Sequence, residues 1–268
     1  MTSVDLLKRF PPKKLSRARA LAHQAVQFVT KAARANLAGE EDDSHSNLGW
    51  STELRAFVSH PLAKTSVAVS LSPLQLLILD ADAVTVRFDL TGRSVVEAGG
   101  WLDGELSGRN LKTTSGIDIP YDLPEEAAAI HVFEDVDELA ALAAWFDLAH
   151  VCLSQFASSI TDLRPGPSPV RCWPHHFDIA TYVALETGDP ESAKGIGVGL
   201  SPGDEAYDQP YIYVNPWPHL DSDHLPEAPK PGHWHSQGFV GAIATADELL
   251  TTNEISTAFS SFIRQAFE

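Results

Sequence analysis

The stretch WPHHFD, residues 173–178, sets His175 and His176 beside Asp178. Imidazole and carboxylate are ligand types that zinc, iron, nickel and manganese accept. A histidine next to a carboxylate is also the pairing that general acid–base chemistry uses. Further along stand His219, His224, His233 and His235, so six of the eleven histidines fall between residues 175 and 235. On an extended strand, residues two apart share a face. His176 would then point with Asp178, and His233 with His235, and two neighbouring strands would supply a ligand set. The spacing thus nominates His176, Asp178, His233 and His235 for a divalent metal such as zinc, with His175 a weaker member. Cys172 and His175 keep the two-residue gap of many zinc sites, but no dedicated signature such as a helical H-E-x-x-H is present. The competing reading is a ring of histidines at the polar end of a sheet, bonded to loop carbonyls.

Without a metal, His176 and Asp178 are the catalytic candidates as an acid–base pair. Asp204 and Glu205 could add a carboxylate, although Asp after Ser-Pro-Gly is ordinary turn chemistry. Nucleophile readings are weaker. Ser236 lies beside His235 and Ser201 precedes a turn, yet there is no G-x-S-x-G elbow, and Cys172 follows no electropositive helix start. GIGVG at 195–199 lacks the spacing of a phosphate-binding loop and reads as close backbone packing in a strand. Aromatic residues crowd the same region: Trp173, Tyr211, Tyr213, Trp217 and Trp234. Rings with a few convergent polar groups line small-molecule pockets. Trp173, Tyr211, Tyr213, Trp234 and Asp204 are therefore the ligand-binding candidates, while rings filling a core is the simpler alternative.

Several elements must position these groups. Residues 14–37 repeat apolar side chains at helical steps through Leu15, Ala18, Ala22, Ala25, Val29 and Ala32. TSVAVSL and LQLLILD read as strands around Ser72-Pro73. AVTVRFDL alternates Val84, Val86, Phe88 and Leu90 with Thr85, Arg87 and Asp89. Thr91-Gly92 reads as a hairpin turn into an extended RSVVEA, and residues 99–125 as a long Gly-rich connection. Asp135 with Glu138 resembles a helix-start box before an apolar pattern over 136–161. After a turn over 186–195 come a GIGVGL strand, a strand with Tyr211 and Tyr213 on one face and Ile212 and Val214 on the other, and an extended HWHSQGFVGAIA. Thr245 and Glu248 form a cap, and a last helix near 252–267 shows Ile255, Phe259, Phe262 and Ile263 on one side.

The two halves share a layout: a helix holding Ala-His (Ala22-His23, Ala149-His150), a Trp-led extended run (Trp50, Trp173), and a V-x-L-S-P strand end (VSLSP at 69–73, VGLSP at 198–202). This suggests an internal duplication. Aligned on the tryptophans, HHFD stands where the first copy carries TELR at 52–55, which marks the second copy as the site-bearing one. The expected fold is α+β, mainly antiparallel sheet with about three principal helices. Its halves at 1–125 and 126–268 would form one continuous structure.

The chain of 268 residues has a formal net charge of −17. Such a charge repels phosphate backbones and anionic lipid, which excludes nucleic acid and membrane as partners. Lys8, Arg9, Lys13, Lys14, Arg17, Arg19, Lys31 and Arg34 hold eight of the nineteen basic residues. They offset the acidic remainder, or else dock an acidic partner. No secretion-type apolar region precedes the first basic residues, and two cysteines, Cys152 and Cys172, make no disulfide scaffold. A cytoplasmic location is expected.

The blocks WPHHFDIA, SPGD, PYIYV, PW and GFVGA, in that order over residues 173–260, are similar to those of a family of uncharacterised bacterial proteins. That family carries Trp-Pro-Glu-His-Phe-Asp, Ser-Pro-Gly-Asp and Pro-Tyr-Leu-Tyr-Val. His175 stands where the family has Glu, whereas His176, Asp178 and Asp204 match. The resemblance implies a shared fold and pocket and lends no reaction. The sequence thus points to a small-molecule or divalent-metal pocket built by residues 173–239. A metal-dependent hydrolase using the same groups and a non-catalytic interaction protein are the alternatives.

Overall fold

The computed structural model describes residues 3–188 and 192–268, so the turn expected over 186–195 lies partly outside the described residues. In chain order the elements are α1 (Ser3–Leu7), α2 (Ser16–Asn36), β1 (Gly49–Ser51), β2 (Ala56–Val58), β3 (Thr65–Leu71), β4 (Leu74–Asp80), β5 (Ala83–Asp89), α3 (Val95–Gly108), α4 (Glu125–Ala128) and α5 (Glu138–Ser159). There follow β6 (Gly166–Pro167), β7 (Arg171–Trp173), β8 (Asp178–Ala184), β9 (Gly195–Ser201), β10 (Tyr211–Trp217), β11 (His233–His235), β12 (Gly241–Thr245), α6 (Ala246–Leu249) and α7 (Ile255–Phe267). The fold is α+β with two antiparallel sheets. The chain divides into two compact units. One holds residues 15–143 and 172–177, the other residues 1–14, 144–171 and 178–268.

In the first of these units the sheet order is β1-β2-β3-β4-β5. Strand β3 is buried along its whole length, whereas β5 at the edge alternates exposed and half-buried residues as its sequence predicts. Helix α2 packs on β3 and buries Leu21, Ala22, Ala25, Val26, Val29 and Ala32. The expected extended RSVVEA is instead the start of α3. Ser94 accepts from the Glu97 amide and Glu97 reaches back to the Ser94 amide, a complete capping box. The helix runs through the supposed connection because Ala98, Leu102 and Leu106, four apart, all bury. Beyond it Asp103 accepts from the Thr114 amide and hydroxyl at 2.6 and 2.7 Å, clasping the loop.

In the other unit the order is β11-β12-β10-β9-β8-β6, with α7 packed on β10. The Thr245–Glu248 cap forms, and α7 buries Ile255, Phe259, Phe262 and Ile263 as expected. Helix α5, whose residues 138–143 fall in the first unit and the rest in this one, starts at Glu138, so Asp135 lies outside the first turn and does not cap it. This helix is long and apolar enough to cross a membrane by length and composition. Its Leu139, Leu142, Trp145, Phe146, Ala149 and Leu153 are all buried, which is the pattern of a core helix.

The two units repeat one plan. Neighbours β2-β3-β4-β5 in one correspond to β8-β9-β10-β12 in the other, each run preceded by a long helix and followed by another. Before β2 and before β8 lies a four-residue turn, Thr52–Arg55 and Pro174–Phe177, ending in a residue with positive φ, 46° at Arg55 and 58° at Phe177. This corrects the tryptophan alignment by one residue: TELR matches PHHF, and Asp178 matches Ala56. Four of the eight basic residues of the first stretch pair within the chain. Lys13 meets Asp208 at 3.3 Å, Arg17 meets Glu134 at 2.7 Å, Arg34 meets Asp43 at 2.8 Å, and Lys8 bonds Asn253 at 2.7 Å.

Candidate functional site

Directly opposed residues of antiparallel strands share a sheet face. Tyr211, Tyr213 and Asn215 of β10 stand opposite Ser201, Gly199 and Gly197 of β9, and Gly199 and Gly197 stand opposite Ala180 and Tyr182 of β8. On the other side Tyr211 and Tyr213 oppose Thr245 and Ile243 of β12, while Ile243 and Gly241 oppose His233 and His235 of β11. One face therefore gathers Asp178, Tyr182, Tyr211, Tyr213, Asn215, His233 and His235. The opposite face carries Ile179, Val183, Val198, Leu200, Ile212 and Val214, all essentially buried. The alternate glycines of β9 explain how large side chains fit. A Cβ on Gly199 would lie 2.5 Å from the Tyr213 hydroxyl, one on Gly197 2.3 Å from Asn215 Oδ1, and one on Gly195 2.0 Å from the Tyr182 hydroxyl. The three side chains lie flat across a floor with no Cβ, the close approach that strand glycines permit.

Phenols and carboxylates then pair along this face. Tyr213 donates to Asp178 Oδ2, which is buried at the start of β8, and Tyr211 donates to Asp204 Oδ2 at 2.5 Å. Asp204 Oδ1 accepts from the Ala206 and Tyr207 amides, so the turn after Ser-Pro-Gly aims its carboxylate at Tyr211. Burial, reinforced by Asp204, pushes the Tyr211 hydroxyl well above the usual phenol range, and burial also raises Tyr207. Both remain proton donors.

Tyr207 is the hub of the polar end. Its hydroxyl lies 3.0 Å from His233 Nε2 and 3.1 Å from His235 Nδ1. One partner assignment fixes a proton. His235 Nε2 is 2.6 Å from the Gln237 carbonyl, which only accepts, so this nitrogen carries a hydrogen. In the neutral ring Nδ1 is then bare and accepts from Tyr207, whose oxygen accepts from His233 Nε2–H. His233 Nδ1 faces Glu248 Oε1 at 3.4 Å, and the other Glu248 oxygen accepts from the Thr245 amide and hydroxyl at 2.7 and 2.8 Å. The α6 cap thus also holds the acid against His233.

The remaining predicted residues fall elsewhere. His176 is exposed on the Pro174–Phe177 turn, not on a strand. Positive φ at Phe177 breaks the two-residue alternation, so the expectation that His176 and Asp178 share a strand face is corrected. Among the described residues no group of three or more His, Cys, Asp or Glu side chains gathers to hold a metal. The set His176, Asp178, His233 and His235 is accordingly not assembled. Trp234 points away from His233 and His235, and its indole donates to the Pro226 carbonyl at 2.8 Å. His224 bonds Asp221 at 2.8 Å in an exposed turn, and the His219 ring lies 5.1 Å from Trp217. Ser201 accepts from the Gly203 amide at 3.1 Å, a turn bond.

Trp173 and His175 belong to the other unit. His175 is half-buried, 6.0 Å from Trp173, 5.8 Å from Tyr121 and 4.2 Å from His176 between ring centroids. Burial, then the neighbouring His176, lowers its pKa to about 4. In the same unit His23 Nε2 donates to the Pro174 carbonyl at 2.8 Å and its ring stacks on Phe177 at 4.9 Å. Gln27 adds a bond to the same carbonyl at 3.4 Å, and Tyr121 donates to Gln27 at 2.8 Å. WPHHFD is therefore held by α2, chiefly through its backbone and Phe177. Cys172 is buried, and its amide and carbonyl exchange bonds with Leu48.

Sequence reasoning passed over Tyr207, Tyr182 and Asn215, and read Glu248 only as a cap. The alternation that singled out Tyr211 and Tyr213 extends to Asn215. Tyr207 sits in an irregular loop and leaves no periodic signal. Comparison of the chain with protein-family models, curated proteins and solved structures finds no match.

Proposed function

We propose that this chain binds a small molecule rich in hydrogen-bond donors, a primary amine above all, on the polar–aromatic face of the β8–β12 sheet. The observation that carries the reading is the pairing of Tyr213 with Asp178 and Tyr211 with Asp204 on one glycine-floored face. Each phenol has committed its proton to a carboxylate, so what it offers a ligand is oxygen lone pairs. Asn215 Oδ1, on the same face, is buried with no hydrogen-bond partner among the described residues and is one more acceptor. Acceptors, carboxylates and aromatic faces together favour a cation. The reading is further supported by where the family-like blocks meet: Asp178, Asp204, Tyr211 and Tyr213 come from three of them. Two buried cysteines outside any disulfide fit the cytoplasmic location we assign.

A divalent metal is the weaker reading. His233 and His235 both address the Tyr207 oxygen, so a zinc ion would have to displace that hydroxyl. A hydrolase would need an open coordination position as well, and no observation favours one.

The test is a melting-temperature series with alkyl amines, matched carboxylates and zinc chloride, on wild type and Tyr213→Phe. Amines should raise the midpoint with concentration, since a ligand for the native state stabilises it. Tyr213→Phe keeps the ring, removes the acceptor, and should lose at least half of the shift. Equal responses to amines and carboxylates, or none, would refute the reading. A shift with zinc alone would favour the metal.

A further inference from the structure

In the duplicated plan β5 corresponds to β12, yet β5 ends its sheet and β12 does not. β12 is covered on its outer side by β11, drawn from the long segment between β10 and β12. The chain passes from β4 to β5 through the two residues Ala81 and Asp82 and supplies no such cover. Among the described residues no strand pairs with the outer edge of β5.

We infer that this edge pairs, antiparallel and about a two-fold axis, with β5 of a second copy of the chain. An uncovered strand edge is a template for another strand, and proteins that avoid such pairing place Pro or charged side chains, Lys above all, on it or kink it. β5 has neither Pro nor Lys. Its one irregularity leaves Thr85 without a cross-strand partner, where Ile78 pairs Val86 and Leu79 pairs Val84. Beyond that bulge, Val86 to Asp89 pair regularly with β4. In this regular stretch the exposed residues are Arg87 and Asp89, and the half-buried ring between them is Phe88, stacked on Trp101 at 4.7 Å. A closed two-fold contact must be self-complementary. Centred on Phe88, the pairing sets Arg87 of each copy opposite Asp89 of the other and brings the two phenylalanines together. Centred on Arg87 it would oppose like charges, so the charges select the register. The chain just beyond β5 adds apolar surface. Val96 is 84% exposed and Val132 49% exposed, and Ser94 bridges Val132. Val96 is the most exposed of the large apolar residues described, which suits an association patch.

Sedimentation velocity of the full chain over a concentration series decides this. The wild type should show a reversible monomer–dimer equilibrium. Arg87→Asp places two like-charge pairs at the axis and should weaken the dimer about tenfold or more. The exchange Arg87→Asp with Asp89→Arg restores opposite charges and should recover it. Circular dichroism melting of each variant separates lost pairing from lost folding. A wild type that is monomeric throughout overturns the inference. So does a dimer indifferent to Arg87→Asp, or a folded charge-exchanged variant that fails to recover.

Discussion

Tyr213 reaches Asp178 only because Gly199 beneath it has no side chain. A methyl there would meet the Tyr213 hydroxyl at 2.5 Å and Cζ at 2.6 Å, and also Ala180 Cβ at 2.8 Å. The tyrosine could swing away, but Ala180 Cβ is fixed to the β8 backbone and cannot. Gly199→Ala should therefore cost about 2 kcal/mol, the usual scale of an overpacked core position, and should abolish the amine-induced shift as the tyrosine leaves Asp178. Urea unfolding and the melting series measure the two effects separately. Wild-type stability in Gly199→Ala would mean that the floor is not what positions Tyr213. The same logic explains why the glycine run at 195–199, which lacks the spacing of a phosphate-binding loop, is close packing in a strand. Its glycines alternate with Ile196 and Val198, so they all face one side of the sheet, and Tyr182, Asn215 and Tyr213 lie across them.

Helix α3 shows the opposite use of glycine. Gly99, Gly100 and Gly104 weaken a helix that Ser94 and Glu97 start and that Ala98, Leu102 and Leu106 anchor. An added Cβ at Gly104 meets nothing within 4 Å, so Gly104→Ala should stabilise the chain by about 1 kcal/mol through backbone entropy and helix propensity. A higher unfolding midpoint in urea checks this, and an unchanged one would count against an exposed helical site. The three glycines hid α3 from sequence reading because they outweighed four-residue spacing and a capping box that were both present. Elements with strong periodicity were legible: α2, α5 and α7 through their apolar stripes, and β5 and β10 through alternation. Of the site, Tyr211 with Tyr213 and His233 with His235 were legible for the same reason, since each pair sits two apart on a real strand. His176 with Asp178 was not, because a four-residue turn ending at positive φ replaces strand geometry there. Tyr207 is delivered by a loop, whose course depends on the Asp204 turn bonds, so no repeat in the sequence announces it.

With 36 acidic and 19 basic residues the chain repels itself at neutral pH, and protonating its carboxylates would relieve that repulsion. Histidine burial opposes this gain on the acid side. His23 is 4% exposed, and burial lowers its pKa from 6.5 to about 4, with Arg19, His175 and His176 adding repulsion while the Pro174 carbonyl partly offsets them. Between those two values the unfolded chain binds a proton that the folded chain refuses. The contribution is thus fully present above pH 6.5 and lost as pH falls towards 4, about 3 kcal/mol for so buried a group. His175 acts in the same direction but is half exposed, so solvent screens its share. His23→Gln can keep a donor for the Pro174 carbonyl without a titrating ring. Urea unfolding of both proteins at about pH 7 and about pH 4.5 should show the wild type losing some 2–3 kcal/mol more than the variant on acidification. Parallel losses would remove His23 as the titrating group. A variant less stable than the wild type by the same amount at both pH values would show that the glutamine fails to hold Pro174, because a lost bond is independent of pH whereas the titration is not.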